Sequence, residues 1–128
     1  GSLGMTLIMK VGKEFTFDAA HFLPRYHGEC ERMHGHTYRL RVTVEGPVDP
    51  DGLVIDFVLL KKVVKKEVLD ALDHRLINEV IEVASCENIA RWVWKKLSAN
   101  SDLKGVRLSE VALWETPTSF ALYHGEDE

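Results

Sequence analysis

The stretch YRLRVTVE (residues 38–45) decides the fold of this chain, because apolar and polar residues alternate along it without a break. A period of two residues is typical of a strand with one buried and one solvated face. The residues that would face inward are Tyr38, Leu40, Val42 and Val44. Residues 7–20 have the β-branched and aromatic composition of an earlier strand. The turn sequence GPVDPDG then ends the strand region.

Beyond that turn the hydrophobic period becomes that of a helix. The apolar stripe consists of Phe57, Leu60, Val64, Val68 and Ala71. A second helix is predicted over residues 86–97, with Ser85 as N-cap and Glu87 in the first turn. Two strands, at about 106–115 and 119–124, close the chain. The order ββααββ predicts an α+β fold, a four-stranded antiparallel sheet with two helices on one face. Assembly into a ring would cover the other face.

Size and charge narrow the functional class. A chain of 128 residues with 45% hydrophobic residues suits one globular domain. We interpret residues 1–4 as a cloning remnant and 5–128 as that domain. A net charge of −4 argues against nucleic acid as a partner. No apolar run approaches the roughly 20 residues of a membrane helix, so no membrane partner is expected. No secretory signal is found, which predicts a cytoplasmic location and reduced cysteines.

Three histidines have the spacing of a metal site. His34 and His36 are two residues apart at the start of a strand, so both imidazoles lie on the same side. His21 ends the preceding strand and can meet them at one edge of the sheet. Three protein ligands would leave the fourth zinc position open, which is the catalytic pattern. Polar residues at a strand edge are the alternative interpretation.

Cys30 lies four residues before His34 and therefore close to any metal bound there. A thiol beside a metal and an imidazole ionises more readily and can act as a base or nucleophile. Alternatively, Cys30 is a fourth ligand that closes a structural site, or an inert thiol between the anions Glu29 and Glu31. A redox pair with Cys86 is a further alternative.

The chain resembles the 6-pyruvoyltetrahydropterin synthase / 6-carboxytetrahydropterin synthase family over almost its whole length. The motifs that carry the resemblance are FDAAHFL (17–23), CERMHGH (30–36), GLVIDF (52–57), LDHRLIN (72–78), ENIARWVW (87–94) and WETPTSFALYHGE (114–126). The resemblance implies the tunnelling fold (T-fold). It also implies a homo-oligomer, a trimer or a hexamer made of two trimers, with active sites between subunits.

The resemblance also implies a set of site residues. The zinc ligands would be His21, His34 and His36. The catalytic residues would be Cys30 as general base, Asp73 and His74 as a relay, and Glu115. Glu115 would in addition anchor the pterin ring, with Ser85 and Glu87 from a neighbouring subunit. The helix-start motif departs from the family, because VASCEN (83–88) lacks its proline and has Cys86 where a hydroxyl residue is usual.

The spacing Cys-X-X-X-His-Gly-His resembles the branch that makes 6-carboxy-5,6,7,8-tetrahydropterin for queuosine or archaeosine. The substrate would be 7,8-dihydroneopterin triphosphate, which loses acetaldehyde and triphosphate. Formation of 6-pyruvoyltetrahydropterin is one alternative. Glu31 has the spacing of a branch that cleaves the side chain to 6-hydroxymethyl-7,8-dihydropterin, so Glu31 is an alternative acid or base. A non-catalytic pterin-binding or structural-zinc module is the non-enzyme alternative.

Overall fold

Two long strands form the centre of the sheet. The structure, a computed structural model, describes residues 6–29 and 31–128. The predicted cloning remnant and Cys30 therefore lie outside the described residues. Strands β1 (Ile8–His21) and β2 (His34–Pro47) pair antiparallel over their full length. The hairpin thereby brings the last residue of β1 opposite the first residue of β2.

The first predicted helix is a helical stretch with an irregular centre. Helix α1 (Phe57–Val64) begins after Asp56, whose carboxylate accepts the N–H of Val58 at 2.8 Å. A π-helical turn (Lys65–Leu69) carries the chain into the short helix α2 (Asp70–Leu72). Leu60, Val64 and Val68 of the predicted apolar stripe are 0% exposed, Ala71 is half-buried, and Phe57 at the start of the stripe is 45% exposed, contrary to the prediction.

The second predicted helix is α3 (Cys86–Ser98). The Ser85 hydroxyl accepts the N–H of Asn88 at 3.2 Å, which confirms the predicted N-cap. Glu87 lies in the first turn, where the helix dipole stabilises an anion. The buried residues of α3 are Ile89, Ala90, Val93, Trp94 and Leu97.

The prediction of four antiparallel strands is wrong in one respect. Strands β4 (Arg107–Thr116) and β5 (Ser119–Tyr123) are antiparallel, as expected. A two-residue strand β3 (Arg75–Leu76) also pairs parallel to β1, so the sheet has five strands in the order β3-β1-β2-β4-β5. Two residues are too short to show an alternating pattern, and a 3₁₀ turn (Ile77–Glu79) follows at once.

The core lies between the helices and one face of the sheet. Tyr38, Leu40, Val42 and Val44 are all 0% exposed, which confirms the inward face predicted from the alternation. They pack with the apolar faces of both helical segments. No helix of the described residues covers the opposite face, which exposes Phe120 and Leu122. On this face the Arg39 guanidinium stacks over the Trp114 ring at 3.9 Å. Within the described ranges, no helix combines the length and apolar character needed to cross a bilayer.

Candidate active site

Three imidazoles meet at one end of the β1–β2 hairpin. The register sets His21 opposite His34 and Ala19 opposite His36, so the three rings share the inward face. Ring centroids are separated by 4.6 Å for His21 and His34, 5.1 Å for His21 and His36, and 4.7 Å for His34 and His36. One nitrogen from each residue lies within 4.8 Å of the other two. The structure therefore brings together the predicted metal ligands.

Backbone carbonyls orient two of these rings. The Nδ1 atom of His21 lies 2.7 Å from the Ala84 carbonyl oxygen, and that of His34 lies 3.0 Å from the Arg32 carbonyl oxygen. A carbonyl can only accept, so Nδ1 carries the hydrogen and Nε2 keeps its lone pair. This is the usual arrangement of a metal-binding histidine.

The ring nitrogens that remain fit a metal ion. Nε2 of His21 and Nε2 of His36 are buried and have no hydrogen-bond partner among the described residues. Burial lowers the pKa of His36, partly opposed by the Glu115 carboxylate, while the imidazoles of His21 and His34 lower it further. A neutral imidazole is the form that binds metal. Three imidazole nitrogens are a ligand set that zinc accepts.

Glu115 approaches the three histidines from β4. It lies in a β-bulge between Trp114 and Thr116, and such bulges re-aim side chains near functional sites. Its Oε1 is 3.2 Å from Nε2 of His21, although this contact does not have hydrogen-bond geometry. Because Nδ1 of His21 is the protonated nitrogen, two acceptors face each other here. The carboxylate is thus close to the metal-ligand nitrogens but lacks a donor.

Asp73 and His74 form a pair at the edge of the sheet. Asp73 Oδ1 lies 3.0 Å from His74 Nδ1 and accepts the backbone N–H of Asp18 at 3.0 Å. The N–H of His74 donates to the Asp18 carbonyl at 2.6 Å. His74 has a φ of 59°, a left-handed backbone conformation, and its side chain is 78% exposed. Strand β1 therefore holds the pair through its backbone.

A cavity of about 620 Å³ has both His36 and His74 in its lining. Its lining includes Asp18, Met33, His36, Thr37 and His74. The cavity is wide enough for a small heterocyclic molecule, since ligand pockets span roughly 300–1,000 Å³. The cavity therefore borders one residue of the histidine cluster and one residue of the Asp73–His74 pair.

Glu31 is held beside the cluster. Its Oε1 accepts the N–H of Leu23 at 3.1 Å and lies 3.8 Å from Nδ1 of His34. The side chain is 24% exposed. Cys30, the predicted base, lies outside the described residues.

The start of helix α3 contains three further residues considered in the sequence analysis, Ser85, Cys86 and Glu87. Ser85 lines a cavity of about 410 Å³ with Leu23 and Tyr26, and its hydroxyl is already used as the helix cap. Glu87 is exposed. Cys86 packs against the core and donates to the Leu113 carbonyl at 3.3 Å, as expected of a small packed residue. Burial, with the Glu115 carboxylate, raises the pKa of its thiol to about 11.

Three contributors to the site do not stand out in the sequence. The Ala84 carbonyl and the Asp18 backbone act through main-chain atoms, which no residue type reveals. Tyr38 was predicted only as a core residue, but its buried hydroxyl has no hydrogen-bond partner in the described part of the chain. Burial, with Glu115, raises the pKa of Tyr38. The spacing His34-X-His36-X-Tyr38 is the signal that could have found it.

Comparisons with known proteins show which sequences and structures this chain is similar to. Residues 10–126 match the sequence model of the family described as 6-pyruvoyl tetrahydropterin synthase. The 6-carboxy-5,6,7,8-tetrahydropterin synthase of Haemophilus influenzae is 36% identical, over 91% of this chain and 99% of that protein. The dihydroneopterin monophosphate aldolase of Pyrococcus furiosus is 44% identical, over 78% of this chain and 83% of its own.

The fold also matches solved structures. The 6-pyruvoyl tetrahydropterin synthase of Caenorhabditis elegans superposes with a TM-score of 0.81 at 32% identity. The match covers 94% of this chain and 98% of that chain. The T-fold architecture implied by the sequence motifs is thereby confirmed.

Proposed function

Because the chain belongs to the 6-pyruvoyl tetrahydropterin synthase family, we propose that it is a zinc-dependent lyase acting on 7,8-dihydroneopterin triphosphate. The proposed products are 6-carboxy-5,6,7,8-tetrahydropterin, acetaldehyde and triphosphate. The observation that carries this proposal is the cluster of three imidazoles with two buried, unpartnered Nε2 atoms beside the Glu115 carboxylate.

The metal ligands, Glu115 and the residues at the start of α3 each have a proposed role in this reaction. Zinc bound at the three imidazoles would supply Lewis acidity toward the substrate's side-chain oxygens. Glu115 accepts the paired N–H donors of the pterin ring, because a carboxylate can accept two parallel hydrogen bonds. Ser85 and Glu87 are proposed to contact the pterin from a neighbouring subunit.

We assign the proton transfers to Cys30 and to the Asp73–His74 pair. Cys30 is proposed to take a proton from carbon as the thiolate. His74 passes a second proton, and the Asp73 carboxylate 3.0 Å from its Nδ1 stabilises the imidazolium that forms. The cavity shared by His36 and His74 supports this assignment.

We also propose that the protein is a trimer or a dimer of trimers with sites between subunits. The helix-free face of the sheet exposes Phe120 and Leu122, which are 56% and 48% exposed. His74 is 78% exposed at the sheet edge, where a neighbouring chain could complete its surroundings. Light scattering after gel filtration measures the mass, and a 14.5 kDa species would contradict the proposal.

A second candidate is side-chain cleavage to 6-hydroxymethyl-7,8-dihydropterin. Two observations favour it: the similarity to the Pyrococcus furiosus aldolase, and Glu31 held 3.8 Å from the His34 ring. In this reaction the carboxylate accepts the proton of the C2′ hydroxyl and the bond between C1′ and C2′ breaks. The electron pair of that bond passes into the dihydropterin ring system, and C1′ then takes up a proton to give the hydroxymethyl group. The remaining two carbons leave as an aldehyde.

Product analysis separates the two candidates. Zinc-loaded protein is incubated with 7,8-dihydroneopterin triphosphate and, separately, the monophosphate, and pterins are identified by mass spectrometry. We expect 6-carboxytetrahydropterin from the triphosphate. Glu31→Gln should leave that product unchanged and abolish any 6-hydroxymethyl product, with Glu29→Gln as the control in the same loop. Absence of turnover on both substrates with zinc bound would overturn the enzyme function.

A further inference from the structure

Tyr38 presents a hydroxyl that its surroundings leave unused. The residue is 0% exposed, and its oxygen has no hydrogen-bond partner among the described residues. A buried hydroxyl without a partner is costly, so its retention needs a reason. The Tyr38 ring stacks on the Phe17 ring with centroids 5.0 Å apart, and a phenylalanine ring could make the same contact without a hydroxyl. The hydroxyl therefore contributes something other than packing.

Tyr38 lies next to the predicted metal ligands at one end of the sheet. Its ring meets those of His21 and His36 edge-on, with centroids 5.9 Å and 5.7 Å apart. In the pairing of β2 with β4, Arg39 lies opposite Trp114. Extending this antiparallel ladder by one residue sets Tyr38 beside Glu115, and such neighbours have Cβ atoms about 4.5–5.5 Å apart.

The Glu115 carboxylate is a hydrogen-bond acceptor that faces another acceptor. Its carboxylate faces Nε2 of His21, which keeps a lone pair because Nδ1 donates to the Ala84 carbonyl. No side-chain hydrogen bond to Glu115 is found within the described residues, whereas the Tyr38 hydroxyl is a donor without an acceptor. An unpaired donor and an unpaired acceptor thus occupy neighbouring positions on β2 and β4.

We propose that the Tyr38 hydroxyl donates to the Glu115 carboxylate in the substrate-loaded protein, which makes Tyr38 a positioning residue for pterin recognition. The inference rests on the proposed function. Rotation of the carboxylate away from His21 frees Nε2 for a metal and directs the other carboxylate oxygen to the N–H edge of the pterin. Tyr38 then fixes the carboxylate orientation and does not itself touch the substrate.

A double-mutant cycle tests this coupling. The dissociation constant of 7,8-dihydroneopterin is measured by pterin fluorescence for zinc-loaded wild type, Tyr38→Phe, Glu115→Ala and the double variant. Tyr123→Phe is the control, since its hydroxyl bonds to Glu128 away from the site. We expect Tyr38→Phe to weaken binding about tenfold, the usual effect of losing a hydrogen bond to a charged group. In the Glu115→Ala background, which has no side-chain acceptor, the same change should have less than about a twofold effect.

Stability and kinetics give independent readouts. The metal-free Tyr38→Phe protein should melt at the same temperature as wild type or higher, because an unsatisfied buried hydroxyl is removed. With substrate, KM should rise while kcat stays nearly constant, because the lost contact acts on pterin binding.

Three results would overturn the inference. They are unchanged pterin affinity in Tyr38→Phe, an equal loss in both backgrounds, or a strong drop in melting temperature that reveals a structural partner. If wild type itself binds no pterin, the proposed function fails first and the inference fails with it.

Discussion

The Glu115 carboxylate lies 3.2 Å from Nε2 of His21, and the two side chains are 27% and 2% exposed. This contact links the sheet's bulge in β4 to the three imidazoles on the hairpin. In the proposed function, metal binding and pterin binding are therefore neighbouring events that share one carboxylate.

Glu115→Gln should weaken pterin affinity by at least about tenfold, because a carboxylate that accepts two N–H donors becomes an amide with one acceptor. Zinc stoichiometry, measured by elemental analysis, should remain that of wild type because the three imidazoles are intact. Glu110→Gln, on the same strand and paired with His124, is the control. Loss of zinc in Glu115→Gln would instead make Glu115 a metal ligand.

His34→Gln should abolish the stabilisation that zinc provides. His34 is the most exposed of the three histidines, at 40%, so the metal-free fold should tolerate the change. A ligand present at 1,000 times its dissociation constant stabilises a protein by about 4 kcal/mol, so zinc should raise the wild-type melting temperature clearly. Calorimetry with zinc and with a chelator measures the difference. His124→Gln, at the surface ion pair with Glu110, should respond like wild type, and a zinc response retained in His34→Gln would exclude His34 as a ligand.

Asp73→Asn should lower kcat by about 100-fold, since proton transfer by a positioned side chain contributes that order of rate. The amide cannot stabilise a protonated His74 as the carboxylate does. The pH dependence of kcat should shift as well, which a purely structural loss would not produce. Asp70→Asn, whose carboxylate pairs only with Lys65 in the described residues, should keep wild-type kinetics. An equal loss in both variants would point to destabilisation of the helical stretch instead.

The metal-free protein should lose stability as the pH falls below about 6.5, partly because of His36. Its pKa is lowered from 6.5 in the folded protein by burial. The unfolded chain therefore binds the proton first, and unfolding is favoured from pH 6.5 down to the lowered pKa. Urea unfolding at several pH values, with chelator present, measures the slope. His36→Asn should flatten it, and an unchanged slope would mean that other groups carry the dependence.

Cys86 should react slowly with iodoacetamide at pH 8. Burial raises its thiol pKa from 9.0 to about 11. The thiolate fraction is then about 100-fold smaller than in the unfolded chain, and the thiolate is the reactive species. Peptide mapping of native and guanidinium-unfolded protein compares the two rates. Equal rates would show that the thiol is accessible in the native state.

Local patterns predicted most of the fold. The alternation through Tyr38 and Val44 identified the buried face of β2, and the stripe through Leu60 and Val68 identified the first helical stretch. These patterns are readable because burial repeats with the period of the element. The two-residue strand β3 has no such period, so the mixed sheet was missed.

The sequence by itself determined which chemistry is available here: three imidazoles at strand ends, an Asp-His pair and a carboxylate after a tryptophan. Only the tertiary structure decided how these groups meet. The antiparallel register sets His21 beside His34, the bulge aims Glu115 at them, and the Ala84 carbonyl selects the tautomer of His21. Register, bulges and main-chain acceptors arise from contacts between distant segments, so no local pattern of side chains encodes them.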